Sequence, residues 1–335
     1  METGTGSTVM ADSAEQAGVA VSVIVTCFNQ ERWIAAAVQS VLQQTLAGLE
    51  CIVVDDGSAD GSAAVVQRLQ QQDSRIRLVR QSNQGVSAAR NAGFELARGS
   101  LIQFLDGDDL LQREKLRLHA EHFQRCPDTD VSWCDHEYLD DRSGVVSRYP
   151  QALLDRQPLE QMLGAWFDGV SLPIHAAVFR RSLWSAGELP FPVHYRGRCE
   201  DWVFLVSVAL KRAIFSRLDG VLCVYRVGAA GFTSSAVEWN AAALRAAVEI
   251  AGMLPPEQRE AFLMQTFRRT LDRCVRLQKP QILRESTNWR IGYVLTRPWF
   301  LAYRAVRTLL AAAGRPVRSG IERSAHPSVA ETVGK

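Results

Sequence analysis

Four short segments of this chain are nearly unbroken apolar runs, mostly β-branched, and the first three each hand over to a stretch with helical spacing. That alternation limits the possible folds more than any other feature. The first segment, VAVSVIVTCF from Val19 to Phe28, reads as a strand buried on both faces. Asn29 and Gln30 break it, and Ile34, Val38, Val41 and Leu42 then share one helical face. CIVVDD, Cys51 to Asp56, predicts a second strand, followed by a turn from Gly57 to Gly61 and a helix from Ser62 to Gln71 with Val66 and Leu69 inward. IRLV, Ile76 to Val79, and the small-residue helix Val86 to Ala97 repeat the cycle. LIQFL, Leu101 to Leu105, is the fourth strand and runs straight into Asp106, Gly107, Asp108 and Asp109. Such a pattern predicts an α/β fold, a mainly parallel Rossmann-like sheet with helices on both faces. Sheets of this kind take ligands at the carboxyl ends of their strands, so the polar residues there carry the chemistry.

The second half is less regular. VSWCDHEYL near residue 131, HAAVFRR near 175 and Leu218 to Val227 read as strands, and Asp201 to Lys211 as a helix. Glu238 to Leu254 and Pro255 to Lys279 read as two further helices, the second with Leu263, Phe267, Leu271 and Val275 on one face. With 38 basic and 36 acidic residues there is no basic footprint, so nucleic acid is not an expected partner. Seven scattered cysteines without a C-x-x-C pair suit a reducing compartment and argue against structural zinc. Residues 1–18 have the composition of a disordered leader rather than of a secretion signal. Crossing a bilayer takes roughly 20 apolar residues. The longest candidate, 291–314, is interrupted by Arg297, Pro298, Arg304 and Arg307, so no membrane span is expected.

Asp106 and Asp108 lie two apart at the end of an extended segment, where side chains of that spacing point the same way. Two carboxylates facing one small volume repel, and a hard divalent cation such as magnesium or manganese relieves them. The alternative is a solvated acidic turn, for which D-G-D-D is suitable chemistry. Asp55 and Asp56 end the second strand at the same sheet edge, where a carboxylate can accept hydrogen bonds from a base or a ribose; Ser58 or Asp60 is suited to capping the next helix. VIVTCFNQE contains no glycine, which disfavours a dinucleotide-binding oxidoreductase, and no phosphate loop, H-E-x-x-H or G-x-S-x-G occurs. His119 and His122, three apart on a helix, have a spacing compatible with a metal pair but lack a third ligand.

Taken in order, VSVIVTCFNQERWIAAAVQSVLQQT, ECIVVDDGSADGS and NQGVSAARNAGFELARGSLIQFLDGDD resemble the family 2 glycosyltransferases of GT-A fold, closely from Val21 to Leu111 and more weakly to about Arg226. The resemblance implies a GT-A domain over 19–230, with a nucleotide-binding half (19–111) and an acceptor half (112–230). A helical extension (231–320) and a disordered tail (321–335) would follow. It implies that Thr26, Phe28 and Asn29 border the donor nucleotide, with Phe28 stacking on the base, and that one of Asp55 and Asp56 contacts the base or ribose. Arg90 and Asn91 match a segment approaching the nucleotide, and Arg226 one near the diphosphate, although Gly228 stands where histidine is frequent. Asp106 and Asp108 match the D-x-D motif, Asp106 nearer the ribose and Asp108 on a manganese or magnesium ion. Ser87, Ala89 and Gly93 are expected to serve helix packing.

RGRCEDWVFLVSVAL resembles the family's E-D-W segment, in which a carboxylate is the general base; Asp201 is the candidate, with Glu200 orienting it or the loop. Acids at a helix start also complement its dipole, which is the structural alternative. His175 and Trp202 either border the acceptor or are a satisfied buried histidine and a core indole. The implied reaction is an inverting transfer from a nucleotide sugar, most naturally a UDP-sugar, to a glycan or lipid-linked acceptor. Trp289, Trp299, Phe300 and Tyr303 mixed with Arg290, Arg297, Arg304 and Arg307 give residues 289–314 an interfacial composition, suited either to peripheral contact with the inner face of the plasma membrane by a cytoplasmic enzyme or to docking on the core. Two other readings remain at this point, a noncatalytic sugar-nucleotide-binding relative and a nucleotidyltransferase. The second needs a Gly-rich basic loop after the first strand, which is missing.

Overall fold

A computed structural model of the chain describes residues 19–148, 154–166, 172–192, 198–228 and 236–285. The leader, the 289–314 segment and the tail lie outside these residues. The strands β1 (Val21–Cys27), β2 (Leu49–Asp55), β3 (Ile76–Arg80) and β4 (Leu101–Asp106) form the parallel half in the order β3-β2-β1-β4. Every residue of β1 and β2 is buried, as their continuous apolar sequence requires of strands covered on both faces. Helices α1 (Ile34–Leu42) and α2 (Ser62–Gln72) pack together, and α3 (Val86–Leu96) lies over β1 and β2. Gly93 permits that approach, since a Cβ there would stand 2.3 Å from Cγ2 of Ile24.

Beyond β4 the sheet becomes mixed. It continues β8-β6-β9-β5, built from β5 (Leu110–Leu111), β6 (Val131–Asp140), β8 (Ala177–Arg180) and β9 (Phe215–Val227), while β7 (Val146–Ser147) pairs β6. β8 runs antiparallel to both β4 and β6, and β9 runs parallel to β6. Helix α4 (Lys115–Arg125) packs on β6 and β9.

Helix α6 (Glu200–Leu210) is apolar all round, with Trp202 to Val206, Val208 and Ala209 buried, as befits a helix enclosed by protein. Helix α5 (Leu159–Ala165) packs on it, and Trp202 stacks on Trp166 at 6.1 Å while its indole N–H donates to the Met162 carbonyl at 2.9 Å. Trp202 is thus a core indole. An aromatic cluster of Phe104, Phe179, Trp184, Phe191 and Phe204 joins α6 to the sheet, with Phe191 stacked on Phe204 at 4.3 Å. Each such pair contributes about 0.5–1.5 kcal/mol beyond burial.

Compact packing divides the chain into Met1–Leu254 and Pro255–Lys335. Helix α7 (Ala236–Met253) groups with the first unit. Its Ala242, Ala243, Ala246, Ala247 and Ile250 are buried, and it packs on α6, where small residues allow close approach. Helix α8 (Pro256–Glu285) belongs to the second unit. No helix among the described residues is long and apolar enough to cross a membrane.

Candidate active site

Strand register alone assembles the first part of the site. Thr26 on β1 sits opposite Asp106 on β4, and the next β1 residue, Cys27, opposite Asp55 on β2. The Thr26 hydroxyl donates to Asp106 Oδ1 at 3.0 Å, and the same oxygen accepts Nη2 of Arg90 at 2.8 Å. Burial works against charge on Asp106, but the Arg90 guanidinium beside it holds the carboxyl below its ordinary range.

Arg90 carries the connection across the molecule. Its side chain is 1% exposed, its face lies 5.2 Å from the Phe191 ring centre, and its Nη1 donates to Glu200 Oε1 at 3.0 Å. One guanidinium therefore bridges the D-x-D aspartate at the end of β4 and the E-D pair at the start of α6. The aromatic cluster that holds Phe191 thereby helps to fix Arg90. Just before α6, Cys199 adopts a left-handed backbone with φ of 66°, uncommon for a residue with a side chain. That turn starts the helix with Glu200 and Asp201 in its first turn. Asp201 Oδ1 accepts the Trp202 backbone N–H at 2.8 Å, yet burial and the neighbouring Glu200 carboxylate raise its carboxyl above the ordinary range. Asp106 and Asp201 are thus pushed in opposite directions, the arrangement that separates an anion from a proton acceptor poised near neutrality.

The rest of the acidic turn is clamped. The Asp109 N–H donates to the Asp106 carbonyl at 3.0 Å, and Gly107 N–H to the Thr26 carbonyl at 2.9 Å. Arg226, near the end of β9, donates its backbone N–H to Asp109 Oδ1 at 2.7 Å and its Nε to the Asp108 carbonyl at 2.8 Å. Its Nη1 reaches Asp141 Oδ1 at 3.0 Å. Asp141 also accepts the Trp33 indole N–H at 3.0 Å and meets Arg32 at 3.1 Å. Neither Asp141 nor Asp109 had been singled out from sequence. Asp109 was visible as the third acid of D-G-D-D, while nothing local marks Asp141.

The donor set around Asp108 suits a divalent cation. Burial, then Asp109 and Asp106, push its carboxyl up to about 7, and no ion pair reaches that carboxylate among the described residues. A cation would relieve this crowding. No group of three metal-ligating side chains forms among the described residues, so the protein would supply one or two carboxylates and leave the remaining positions to phosphate and water. Magnesium is commonly held in this way, and manganese takes the same oxygen ligands.

Several expected site residues turn out to build the walls. The Asn29 side chain accepts the Ala59 N–H at 2.8 Å while its own N–H donates to the Ser58 hydroxyl. Asp55 accepts Ser58 N–H and Arg80 Nε, each at 3.0 Å. Asp56 accepts Gln81 Nε2, Gln84 N–H and Gly85 N–H, so it ties down the segment entering α3. Asn91 exchanges two hydrogen bonds with the Phe191 backbone, at 2.8 and 3.0 Å. Phe28 is different: 42% exposed at the end of β1, it offers an open aromatic face.

His119 and His122 do not form a metal pair. His119 is engaged by Ser132 and by Lys115, and burial with Lys115 lowers it to about 4, whereas His122 pairs with Ser216. His175 is buried beside Asp109, Nδ1 to Oδ2 at 2.9 Å. Burial opposes its charge, but the Asp109 carboxylate prevails and raises it.

A family model described as Glycosyl transferase family 2 matches residues 22–185. EpsH of Bacillus subtilis, a glycosyltransferase by name, is 34% identical over 186 residues, covering 54% of this chain and 52% of that protein. Residues 22–185 are a family 2 glycosyltransferase domain. EpsJ of the same organism is 32% identical over 213 residues, covering 62% of this chain and 60% of its own length. The chain therefore spans only about half to three-fifths of these two curated relatives. Among solved structures, the domain resembles S. aureus TarS 1–349 in complex with UDP-GlcNAc, with a TM-score of 0.58 at 21% identity, covering 76% of this chain and 73% of that one. It also resembles the mannosyltransferase PcManGT of Pyrobaculum calidifontis in complex with GDP-Man and Mn2+, with a TM-score of 0.51 at 18% identity, covering 89% and 87%. These likenesses give the family 2 domain its GT-A fold.

Proposed function

We propose that the chain is an inverting glycosyltransferase that moves a sugar from a nucleoside diphosphate sugar, a UDP-sugar as the first choice, to a hydroxyl of a glycan or lipid-linked acceptor. The carrying observation is the Arg90 bridge, which brings Asp106 and the Glu200-Asp201 pair, distant in sequence, to a single locus. The complexes of TarS with UDP-GlcNAc and of PcManGT with GDP-Man and Mn2+ support a nucleotide-sugar donor and a divalent cation.

Phe28 stacks on the base, and Thr26 and Asp106 border the ribose. Asn29, Asp55, Asp56 and Asn91 act on the nucleotide through the loops they hold. Asp108, with Asp106, would hold manganese or magnesium. When bound, that ion neutralises charge on the leaving diphosphate. Arg226 fixes the turn that carries Asp108. Asp201 takes the proton of the attacking hydroxyl, a poor nucleophile that needs a positioned base. Its raised carboxyl suits that role, because a weakly acidic carboxylate accepts a proton more readily near neutral pH. Glu200, bound to Arg90, orients the start of α6. The enzyme would work in the cytoplasm, with residues 289–314 against the inner face of the plasma membrane.

The test is donor hydrolysis across a panel of UDP-, GDP- and dTDP-sugars with and without manganese or magnesium. Turnover of one donor class that depends on the cation is the expected result. Absence of turnover and of nucleotide binding across the panel would overturn the assignment.

A further inference from the structure

Asp109 is 2% exposed; its Oδ1 accepts the Arg226 N–H at 2.7 Å, and its Oδ2 forms an ion-pair contact with His175, Nδ1 lying 2.9 Å away. Buried and held from both sides, its carboxylate faces protein groups, so its place in the acidic run calls for another explanation. His175 sits in the 3-10 turn Ile174–Ala176 that leads into β8, the strand paired with β4, and its ring stacks on Tyr225 at 5.7 Å and 11°. Tyr225 precedes Arg226, whose side chain holds the Asp108 carbonyl. The imidazole thus touches the acidic turn on one side and the strand that clamps it on the other.

Without a partner, a third buried carboxylate beside Asp106 and Asp108 would be costly and would drive the turn apart. We propose that His175 and Asp109 are a positioning pair that sets the pose of the Asp106–Asp109 turn, so that Asp108 is presented to a cation bound with a nucleoside diphosphate. This deepens the assignment above and rests on its reading of Asp108 as a cation ligand. The pair resembles in function the outer hydrogen-bonding groups of metal sites, whose loss weakens the metal while leaving other ligands in place.

The experiment measures Mn2+ binding to the full chain in the presence of uridine diphosphate by electron paramagnetic resonance of free Mn2+, together with metal-free uridine diphosphate binding by calorimetry. His175→Ala should weaken Mn2+ by about 10–100-fold, the usual effect of removing such a group. Metal-free nucleotide affinity should stay as in the parent. His175→Asn, whose amide N–H stands where Nδ1 was, should recover much of the loss, and Asp109→Asn with His175→Ala should not add. The Mn2+ concentration for half-maximal donor hydrolysis should rise, with kcat at saturating Mn2+ nearly kept. Unchanged Mn2+ affinity in His175→Ala and in Asp109→Asn would overturn the pair, and so would equal loss of Mn2+ and metal-free nucleotide binding. A parent protein that binds the nucleotide but no Mn2+ would instead sink the cation reading on which the pair depends.

Discussion

At Asp201 the chain holds a carboxylate whose surroundings disfavour its anion. Burial and Glu200 raise its pKa, so the unfolded chain, where an aspartate titrates near ~3.9, gives up that proton more easily than the native one. The native state is therefore penalised as pH rises: the penalty is absent below the ordinary carboxylate range and complete above the raised folded value. Asp201→Asn should remove it. Melting at pH 8 should rise by about 2–4 °C, the shift that ~1 kcal/mol gives a domain of roughly 150–250 residues, and the gain should vanish near pH 4. Transfer should fall by about 10²–10⁴-fold, the usual worth of a general base, with nucleotide affinity kept. In the parent enzyme, kcat/KM should fall on its acid side well above the range of an ordinary aspartate, because only the deprotonated form accepts the hydroxyl proton. Unchanged turnover in Asp201→Asn would remove the assigned base, and a lower melting temperature at pH 8 would show that the carboxylate is supported as an anion.

Among elements, the contact of α3 with β1 and β2 sets the distance that brings Arg90 to Asp106. Gly93→Ala would place a Cβ 2.3 Å from the wholly buried Ile24 side chain, so helix and strand must separate. Overpacking of this kind costs about 1–3 kcal/mol. Denaturant titration should show that loss, and a melting curve equal to the parent's would mean the helix can shift freely. This packing role was legible in the small-residue run SAARNAG, as was the parallel half of the sheet, because strands buried on both faces leave continuous apolar sequence. The second half was harder to read: β5 and β7 span two residues each and β8 four, too short for a period to show, and long-range pairing decides their place. Among the candidate site residues, Thr26, Phe28, Asp106 and Asp108 lie at the carboxyl ends of β1 and β4, while Arg90 lies on α3 and Asp201 at the start of α6. The side chains of Asn29, Asp56 and Asn91 satisfy backbone groups of neighbouring loops. A polar residue at a strand end can serve backbone or ligand, and local sequence does not distinguish them. Asp141 gains its meaning only when Arg32, Trp33 and Arg226 converge on it.

At the scale of the molecule, every residue proposed for the nucleotide, the cation or the proton transfer lies within the compact unit that ends at Leu254. A chain ending there keeps the sheet, α6 and α7, and should bind uridine diphosphate with the affinity of the full chain, measured by calorimetry. The segment 289–314 has a separate part in the proposal. Its aromatic residues alternate with Arg290, Arg297, Arg304 and Arg307, and each basic side chain near an anionic lipid surface is worth about 1 kcal/mol. Such attraction is screened as the Debye length shrinks from about 10 Å at 0.1 M salt to about 3 Å at 1 M. The full chain should therefore sediment with vesicles containing phosphatidylserine at low salt, less so at high salt, and weakly with neutral vesicles. The chain ending at Leu254 should stay in the supernatant throughout. Equal sedimentation of the two would place any membrane contact in the first unit, and no sedimentation of either would remove the membrane contact from the proposal. Because the nucleotide measurement and the vesicle measurement read different units, a truncation that loses lipid binding but keeps nucleotide affinity would separate catalysis from location.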